Sequence, residues 1–408
     1  KEREQEENKM LQGKTVLLGV TGGIAAYKMP NVARMLKKMH CNVHVLMTQN
    51  ATNFITATTF ETLTGNKCLI DTFDRNFEFS VEHVALAKQA DLVLLAPATA
   101  NVIGKIANGI ADDMLTTTVM ACTCKVLVAP AMNHNMYHNS IVQENLEKLK
   151  RHGYEMIDPV CGMLANGDTG DGKLPSEETL VEYVLRELAF EKDMQGLKVL
   201  VTAGPTQEAI DPVRFISNHS TGKMGYAIAK NAMLRGAEVT LVTGRTALEP
   251  PMFVKTVPVT SAKDMYQAVM ECAKEQDIIV KAAAVADYTP AHTADEKIKK
   301  SEGELSLALE KTTDILAELG KNKGNTVLCG FSMETEHMLE NSRAKRKKKN
   351  LDMIAANNLK QQGAGFAGDT NVLTLITEDW EKELALMSKD EAAKCLLDEL
   401  LKIKKNKK

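Results

Sequence analysis

Short apolar runs recur along this chain and alternate with stretches of helical spacing. Thr15–Val20, Val43–Met47, Ala90–Ala96 and Lys125–Ala129 are rich in Val, Leu and Ile and end in polar or proline-bearing turns. Runs of this length and composition predict buried strands. The spacing between and after them predicts helices through Lys38, over about 101–121, over 138–152 and over 176–190. Such alternation predicts one complete α/β sheet domain over 10–190. Residues 158–174, DPVCGMLANGDTGDGKL, read as a long glycine- and aspartate-rich loop. After a linker at 191–196 the alternation restarts. Strands are predicted at 198–202, 238–242, 277–281, 326–330 and 351–355, with a hairpin near 371–376. They form a second α/β domain over 197–404. Residues 1–9, KEREQEENK, carry charge without pattern and are expected to be a disordered extension.

Parallel sheets gather ligands past the carboxyl ends of their strands. In the first half three polar tips follow strands: Thr21-Gly22-Gly23-Ile24, Pro97–Asn101 and Pro130–Met136. A glycine turn before a helix is common, but three such tips on one sheet edge predict a ligand site. His83, in SVEHVALAKQAD, is expected on a helix near that edge. A lone histidine is more often structural than catalytic.

In the second half, residues 198–244 read as strand, glycine turn, polar loop, helix and strand. Gly204-Pro205-Thr206 and Ser217–Gly225 are dense in small hydrogen-bonding residues, which suits an anion at a helix N-terminus. The P-loop pattern is not met, because Met224 follows Lys223. Lys281–Tyr288, KAAAVADY, places alanines and then Asp287 at a strand end. Alanines let a flat ring or sugar approach; an aspartate holds a ribose, a base or Mg2+. The lysines of 296–300 and 345–349 would read alone as solvated faces. Beside an anion-suited loop and an aspartate, they predict a triphosphate site. The tail KIKKNKK is expected to be solvated.

Composition narrows this further. The 408 residues carry 50 Lys+Arg against 53 Asp+Glu, a net charge of −3. Bulk affinity for nucleic acid or membrane is not expected. No apolar run approaches transmembrane length and no signal peptide is visible. Eight cysteines are scattered, and Cys122-Thr-Cys124 is too tight for usual zinc spacing and has no second pair. A reduced, cytoplasmic protein with buried thiols is expected.

Several of these motifs, taken in order, resemble the bacterial bifunctional phosphopantothenoylcysteine decarboxylase/phosphopantothenate–cysteine ligases of coenzyme A biosynthesis. The resemblance covers essentially all of 10–400. It rests on TGGIAAYK, the His83 segment, APATAN, PAMNHNM, the loop at 158–174, AGPTQEAIDPVRFISNHSTGKMG, AAVADY, EKIKK, GFSMET and the lysine run before Asn350-Leu351-Asp352. It implies a flavodoxin-like N-terminal domain binding FMN between subunits of a trimer, followed by a Rossmann-like ligase domain. Gly22, Gly23, Ile24, Thr48, Thr99 and Asn101 match flavin contacts. His83 matches the catalytic base, and Asn133 the residue that holds the substrate carboxylate. In the ligase half, Lys281, Ala282, Ala283, Asp287, Lys297, Thr312, Thr313, Asp314, Ile315, Phe331, Lys345 and Lys349 match contacts to CTP. Asn218 matches the residue needed for the acyl-cytidylate to react on, and Arg214 lies in its loop. Implied partners are 4′-phosphopantothenate, L-cysteine, CTP and Mg2+. Ligase dimers joined to decarboxylase trimers imply a homo-dodecamer.

One departure stands out. Family members usually carry, in the loop at 158–174, a cysteine that gives the proton completing reduction of the enethiol. Asn166 stands at that position. A thiol titrates near ~8.5, whereas a carboxamide is no practical acid. The decarboxylase is therefore expected to stall or slow at the enethiol, unless Cys161 substitutes. Two other readings stay open. One is an oxidative decarboxylase releasing an enethiol, favoured by Asn166 and opposed by the fused ligase. The other is a binding protein, as in relatives that regulate phosphatases, opposed by His83 and Asn133.

Overall fold

The computed structural model describes residues 9–72, 82–163, 167, 169–299, 305–334, 337–358 and 368–407. Asn166 and the start of the expected extension lie outside the described residues. The chain divides into two compact units, 1–190 and 191–408.

In the first unit β1 (Thr15–Val20), β2 (Asn42–Met47), β3 (Leu92–Ala98), β4 (Lys125–Pro130) and β5 (Glu155–Met156) form one sheet. Their order is β2-β1-β3-β4-β5 and every pairing is parallel. This is the flavodoxin-like order, whose crevice opens where the chain reverses direction between β1 and β3. Every residue of β3 is buried, as a strand covered by helices on both faces must be. Leu17, Leu95, Leu115 and Val128 belong to the core beside it.

Two expectations change here. The stretch 101–121 is two helices, Ala100–Ala107 and Met114–Ala121. Gly109, with φ of 70°, turns the chain just after the first. The Asp113 carboxylate then caps the second, accepting from the Thr116 N–H at 2.8 Å. The loop at 158–174 instead contains an antiparallel hairpin, β6 (Val160–Met163) with β7 (Thr169–Lys173).

The second unit holds β8 (Lys198–Ala203), β9 (Glu238–Thr243), β10 (Lys255–Pro258), β11 (Ile278–Lys281), β12 (Val327–Glu334), β13 (Met353–Asn358), β14 (Leu373–Ile376) and β15 (Glu381–Glu383). The sheet order is β10-β9-β8-β11-β12-β13-β14-β15. The first six are parallel in the Rossmann order, with the switch point between β8 and β11. β14 runs antiparallel to both β13 and β15, so the expected hairpin is β14–β15. Leu200, Ile279, Leu328 and Ile354 carry the core across its strands.

The tail is solvated only in part: Lys402, Lys405 and Asn406 are exposed, but Lys404 is buried. Helix Lys389–Asn406 buries Leu396, Leu397, Leu400 and Leu401 at helical spacing. Two lysines at its end are paired: Lys404 Nζ lies 2.9 Å from Asp277 Oδ1, and Lys407, the residue after the helix end, has Nζ 2.6 Å from Asp352 Oδ1. The thiols also differ from expectation. Cys41, Cys68 and Cys329 are buried, but Cys161 is exposed. Among the described residues no helix is long and apolar enough to cross a membrane.

Candidate active sites

The first site is built on the tips of β1, β2 and β3. Thr21 is fully buried, and its hydroxyl donates to the Pro97 carbonyl at 2.6 Å while accepting from the Thr99 N–H at 3.0 Å. The two tips are thereby tied across the switch point. A Cβ on Gly22 would lie 2.5 Å from Asn50 Cβ, so only glycine lets this turn approach the segment after β2. A Cβ on Gly23 would lie 3.6 Å from Thr99 Cγ2. Thr48 joins them, its N–H donating to the Val20 carbonyl at 3.1 Å. Its hydroxyl is buried and has no hydrogen-bond partner. Ile24 and Tyr27 follow the turn with more than half of their surface exposed. Gly22, Gly23, Thr48 and Thr99 are thus brought together. Asn101 stands exposed in the first turn of the next helix.

The other two candidates come from different elements. His83 is half-buried in the first turn of helix Glu82–Gln89. Asn133 caps the short helix His134–Tyr137, its Oδ1 accepting from the Asn135 N–H at 2.9 Å. The hairpin reaches this segment: the Met132 N–H donates to the Gly172 carbonyl at 3.0 Å.

The second site is a cavity of about 470 Å³ at the β8–β11 switch point. One wall is Ala282–Asp287, fixed by threonines. The Ala283 N–H donates to the Thr202 hydroxyl at 3.1 Å, and the Ala286 N–H to that of Thr206 at 3.0 Å. The Thr312 hydroxyl donates to the Ala286 carbonyl at 2.6 Å. The N-terminus of helix Lys223–Leu234, entered through Gly222 at φ 80°, also lines the cavity. Asn218, also on the lining, donates to the Ala284 carbonyl at 3.1 Å.

The lysine run sorts itself by helical phase. On helix Met338–Lys348 and the residue after it, Lys345 and Lys349 are one turn apart and face the cavity. Arg343, Lys347 and Lys348 are exposed. Lys281 completes the cationic group. Burial, then the charges of Lys345 and Lys349, bring its pKa down to about 8. Burial, then Lys349, lowers that of Lys345. Asp314 pulls the other way. Burial opposes its ionisation, yet the bond from Lys349 and the Ala317 N–H hold its carboxyl below the usual range. Concentrated, partly desolvated cations facing a small-residue wall are suited to a polyphosphate.

Of the expected nucleotide contacts, Lys281, Ala282, Ala283, Asp287, Thr312, Thr313, Asp314, Ile315, Phe331, Lys345 and Lys349 all line this cavity. Lys297 and Arg214 are not on the lining. The Arg214 guanidinium bonds Asp211 and donates to the Ile298 carbonyl at 2.7 Å. Asp211 also accepts the Ile298 N–H at 3.1 Å, so this pair organises the segment that carries exposed Lys297.

Comparison with known proteins agrees with both halves. Residues 4–189 match the family described as "Flavoprotein", and residues 194–403 that described as "DNA/pantothenate metabolism flavoprotein C-terminal domain". The chain is 45% identical over 400 residues to the coenzyme A biosynthesis bifunctional protein CoaBC of Bacillus subtilis (strain 168), covering 97% of this chain and 98% of that protein. The chain belongs to the CoaBC family. The CoaBC of Escherichia coli (strain K12) is 42% identical over 395 residues, covering 96% and 97%. A crystal structure of the C-terminal domain of a CoaBC protein covers 53% of this chain and 100% of its own, with 41% identity and a TM-score of 0.47. As a CoaBC protein this chain is a bifunctional enzyme of coenzyme A biosynthesis with decarboxylase and ligase activities.

Some lining residues of this CoaBC chain escaped sequence reasoning. Asn371 and Lys389 reach the cavity from the C-terminal part. Lys389 is buried, and burial followed by the charge of Lys223 lowers its pKa. Lys223 itself pairs with Asp369 at 2.6 Å, a partner 146 residues away. Only the helix-capping Ser388 immediately before Lys389 hinted at an ordered element there.

Proposed function

We propose that the second half joins L-cysteine to 4′-phosphopantothenate using CTP, and that the first half decarboxylates the product with FMN. The observation that carries the ligase reading is one cavity lined by Lys281, Lys345 and Lys349 together with the alanine segment 282–286. The lysines neutralise phosphate charge as pyrophosphate leaves. Ala282 and Ala283 admit the nucleoside, and Asp287 takes its ribose or the Mg2+ that accompanies the triphosphate. In this reading Asn218, whose Nδ2 donates to the Ala284 carbonyl, steadies the acyl-cytidylate for attack by the cysteine amine. Arg214 acts at one remove, through the segment bearing Lys297.

In the first half the residues fit a flavin. Thr48 offers a buried hydroxyl with no partner, and the Gly22–Gly23 turn presents backbone where a phosphate sits. Ile24 and Tyr27 supply apolar surface, and Thr99 and Asn101 complete the edge. FMN supplies two-electron oxidation of the substrate's thiol, which makes a carbon–sulfur double bond β to the carboxylate and an electron sink for loss of CO2. His83 takes the proton, and Asn133 holds the carboxylate. With Asn166 in place of an acid, the reading ends at the enethiol. The same family pattern leads us to a dodecamer of trimers and dimers.

Two measurements test the pair of readings. Purified protein mixed with CTP and 4′-phosphopantothenate should release about one pyrophosphate per active site, and should release CMP and turn over repeatedly only when cysteine is also present. Its absorbance spectrum should show oxidised flavin that bleaches when phosphopantothenoylcysteine is added. A colourless protein inert to CTP would leave only a binding role.

A further inference from the structure

The segment Asn133–His138 contains two histidines that the proposed chemistry does not use. His134 opens the single helical turn His134–Tyr137, and His138 caps its end. Four residues apart, they emerge from the same side, with ring centroids 4.4 Å apart. Asp171, on β7, reaches them from the hairpin, with Oδ2 at 3.1 Å from His138 Nε2. One ring nitrogen from each histidine and one Asp171 oxygen all lie within 4.8 Å of one another.

A plain hydrogen bond accounts for His138 and Asp171 but leaves His134 unexplained. Its Nδ1 is buried and has no hydrogen-bond partner. An unmatched buried polar atom is destabilising, so the position has a standing reason to acquire a partner. The hairpin backbone is pressed against that ring: a Cβ on Gly170 would lie 2.8 Å from His134 Nδ1. Residue 170 can only be glycine if the two segments are to meet this closely.

We propose that His134, His138 and Asp171 form a site for a divalent transition-metal ion of the Zn2+ class, which fastens the β6–β7 hairpin to the Asn133 segment. Two imidazoles and a carboxylate are the donors such an ion takes, at about 2.0–2.2 Å. Hard cations prefer oxygen alone. Tetrahedral arms of that length bring donors to about 3.3 Å from one another, a movement of side-chain scale from the arrangement here. Three protein donors leave a fourth position open to water or a ligand. His138 is exposed, so the ion can enter from solvent. The Met132–Gly172 backbone bond already joins the two segments, and the metal adds a second tie beside Asn133. Binding would therefore hold the hairpin against the residue proposed to grip the substrate carboxylate. The site rests on these three side chains and does not depend on the flavin reading.

The test uses the full chain, stripped with a chelator and titrated with ZnCl2 against a competing indicator, and with CoCl2 by visible absorption. We expect about one ion per chain, with the intense bands of low-coordinate Co2+. His138→Ala and Asp171→Asn should each weaken binding by roughly tenfold or more. Hydrogen exchange supplies a readout independent of activity: Zn2+ should slow exchange in 169–173 of the wild type and not of His138→Ala. Far-UV circular dichroism establishes that each variant is folded, and His138→Gln serves if the alanine variant is not. No saturable binding, or equal binding by a folded His134→Ala/His138→Ala variant, overturns the site. The second result would place the ion elsewhere, for instance at Cys122 and Cys124.

Discussion

Lys349 Nζ stands 2.7 Å from Asp314 Oδ2, and both residues line the cavity of the second unit. Asp314 is also the N-cap of helix Ile315–Lys321, its Oδ1 accepting from the Ala317 N–H at 3.1 Å. One carboxylate thus starts a helix and parks a lysine. An arriving polyphosphate offers that lysine a stronger partner. Lys349→Met should leave the fold intact and raise KM for the nucleotide by roughly 10- to 100-fold, as loss of one charge-assisted bond of about 1.5–3 kcal/mol requires. KM for cysteine should move little. Steady-state pyrophosphate release with each substrate varied separately decides this, and equal effects on both constants would count against a phosphate role.

Proton uptake should accompany nucleotide binding. The pKa of Lys281 is down to about 8 because it is buried and faces Lys345 and Lys349. An anion beside it restores the charged form. At pH 8 to 9 the free enzyme therefore binds a proton together with CTP. Calorimetric titration in buffers of different ionisation enthalpy reads the number taken up, which Lys281→Met should abolish. Stability has its own sign. The unfolded lysine titrates near ~10.4. Between the two values the unfolded chain holds more protons, so this group's contribution to stability is lowest below about pH 8 and grows as pH rises toward the unfolded value.

Thr48 allows a test in which stability and affinity move in opposite directions. Its hydroxyl is buried without a partner. Thr48→Val keeps the shape and removes the unmatched group. The flavin-free protein should gain about 1 kcal/mol or more, while flavin affinity falls several-fold because a hydrogen bond worth about 0.5–1.5 kcal/mol is lost. Thermal melts of stripped protein and flavin fluorescence titration give the two numbers. A variant less stable without flavin would mean that the hydroxyl has a role in the fold itself.

The tail helix gives a stability prediction alone. Lys404 is nearly buried and 2.9 Å from Asp277, whose other oxygen accepts the Lys198 N–H at 2.9 Å. Lys404→Ala should cost on the order of 1 kcal/mol by removing this partly exposed ion pair and the packing of the lysine stem. Urea midpoints should fall with an unchanged slope. Nucleotide KM should not change.

Much of this was readable from residue order, for identifiable reasons. Runs such as Leu92–Ala98 are strands because both faces are covered, and continuous apolar sequence says so. Sheet order is different: nothing local to Thr15–Val20 states that Leu92–Ala98, rather than another strand, becomes its neighbour. The switch points follow from that order, and the sites follow from the switch points. Lys345 and Lys349 were visible as charge, but the helix phase that separates them from Lys347 and Lys348 is a property of the folded helix. Lys389 and Asn371 were not legible as site residues, since they reach the cavity through long-range packing. The two histidines of the Asn133 segment, four residues apart, were not read as a pair; Asp171, which gives that spacing meaning, arrives only through the β6–β7 hairpin.

Asn166 carries the sharpest functional expectation. Completing the reduction requires a proton delivered to the enethiol by a group within hydrogen-bond reach. A carboxamide does not release one near neutral pH. Cys161, the one thiol of the stretch 158–174, is exposed on β6, five residues before Asn166. The wild-type chain should therefore release CO2 and accumulate enethiol with its flavin left reduced, whereas Asn166→Cys should form 4′-phosphopantetheine and reoxidise flavin in the same turnover. Stopped-flow absorbance with mass analysis of the products separates the outcomes. Full turnover by the wild type that disappears in Cys161→Ser would move the acid to Cys161. Full turnover that survives Cys161→Ser would show that no thiol in this stretch is needed, and that the proton comes from water or another residue.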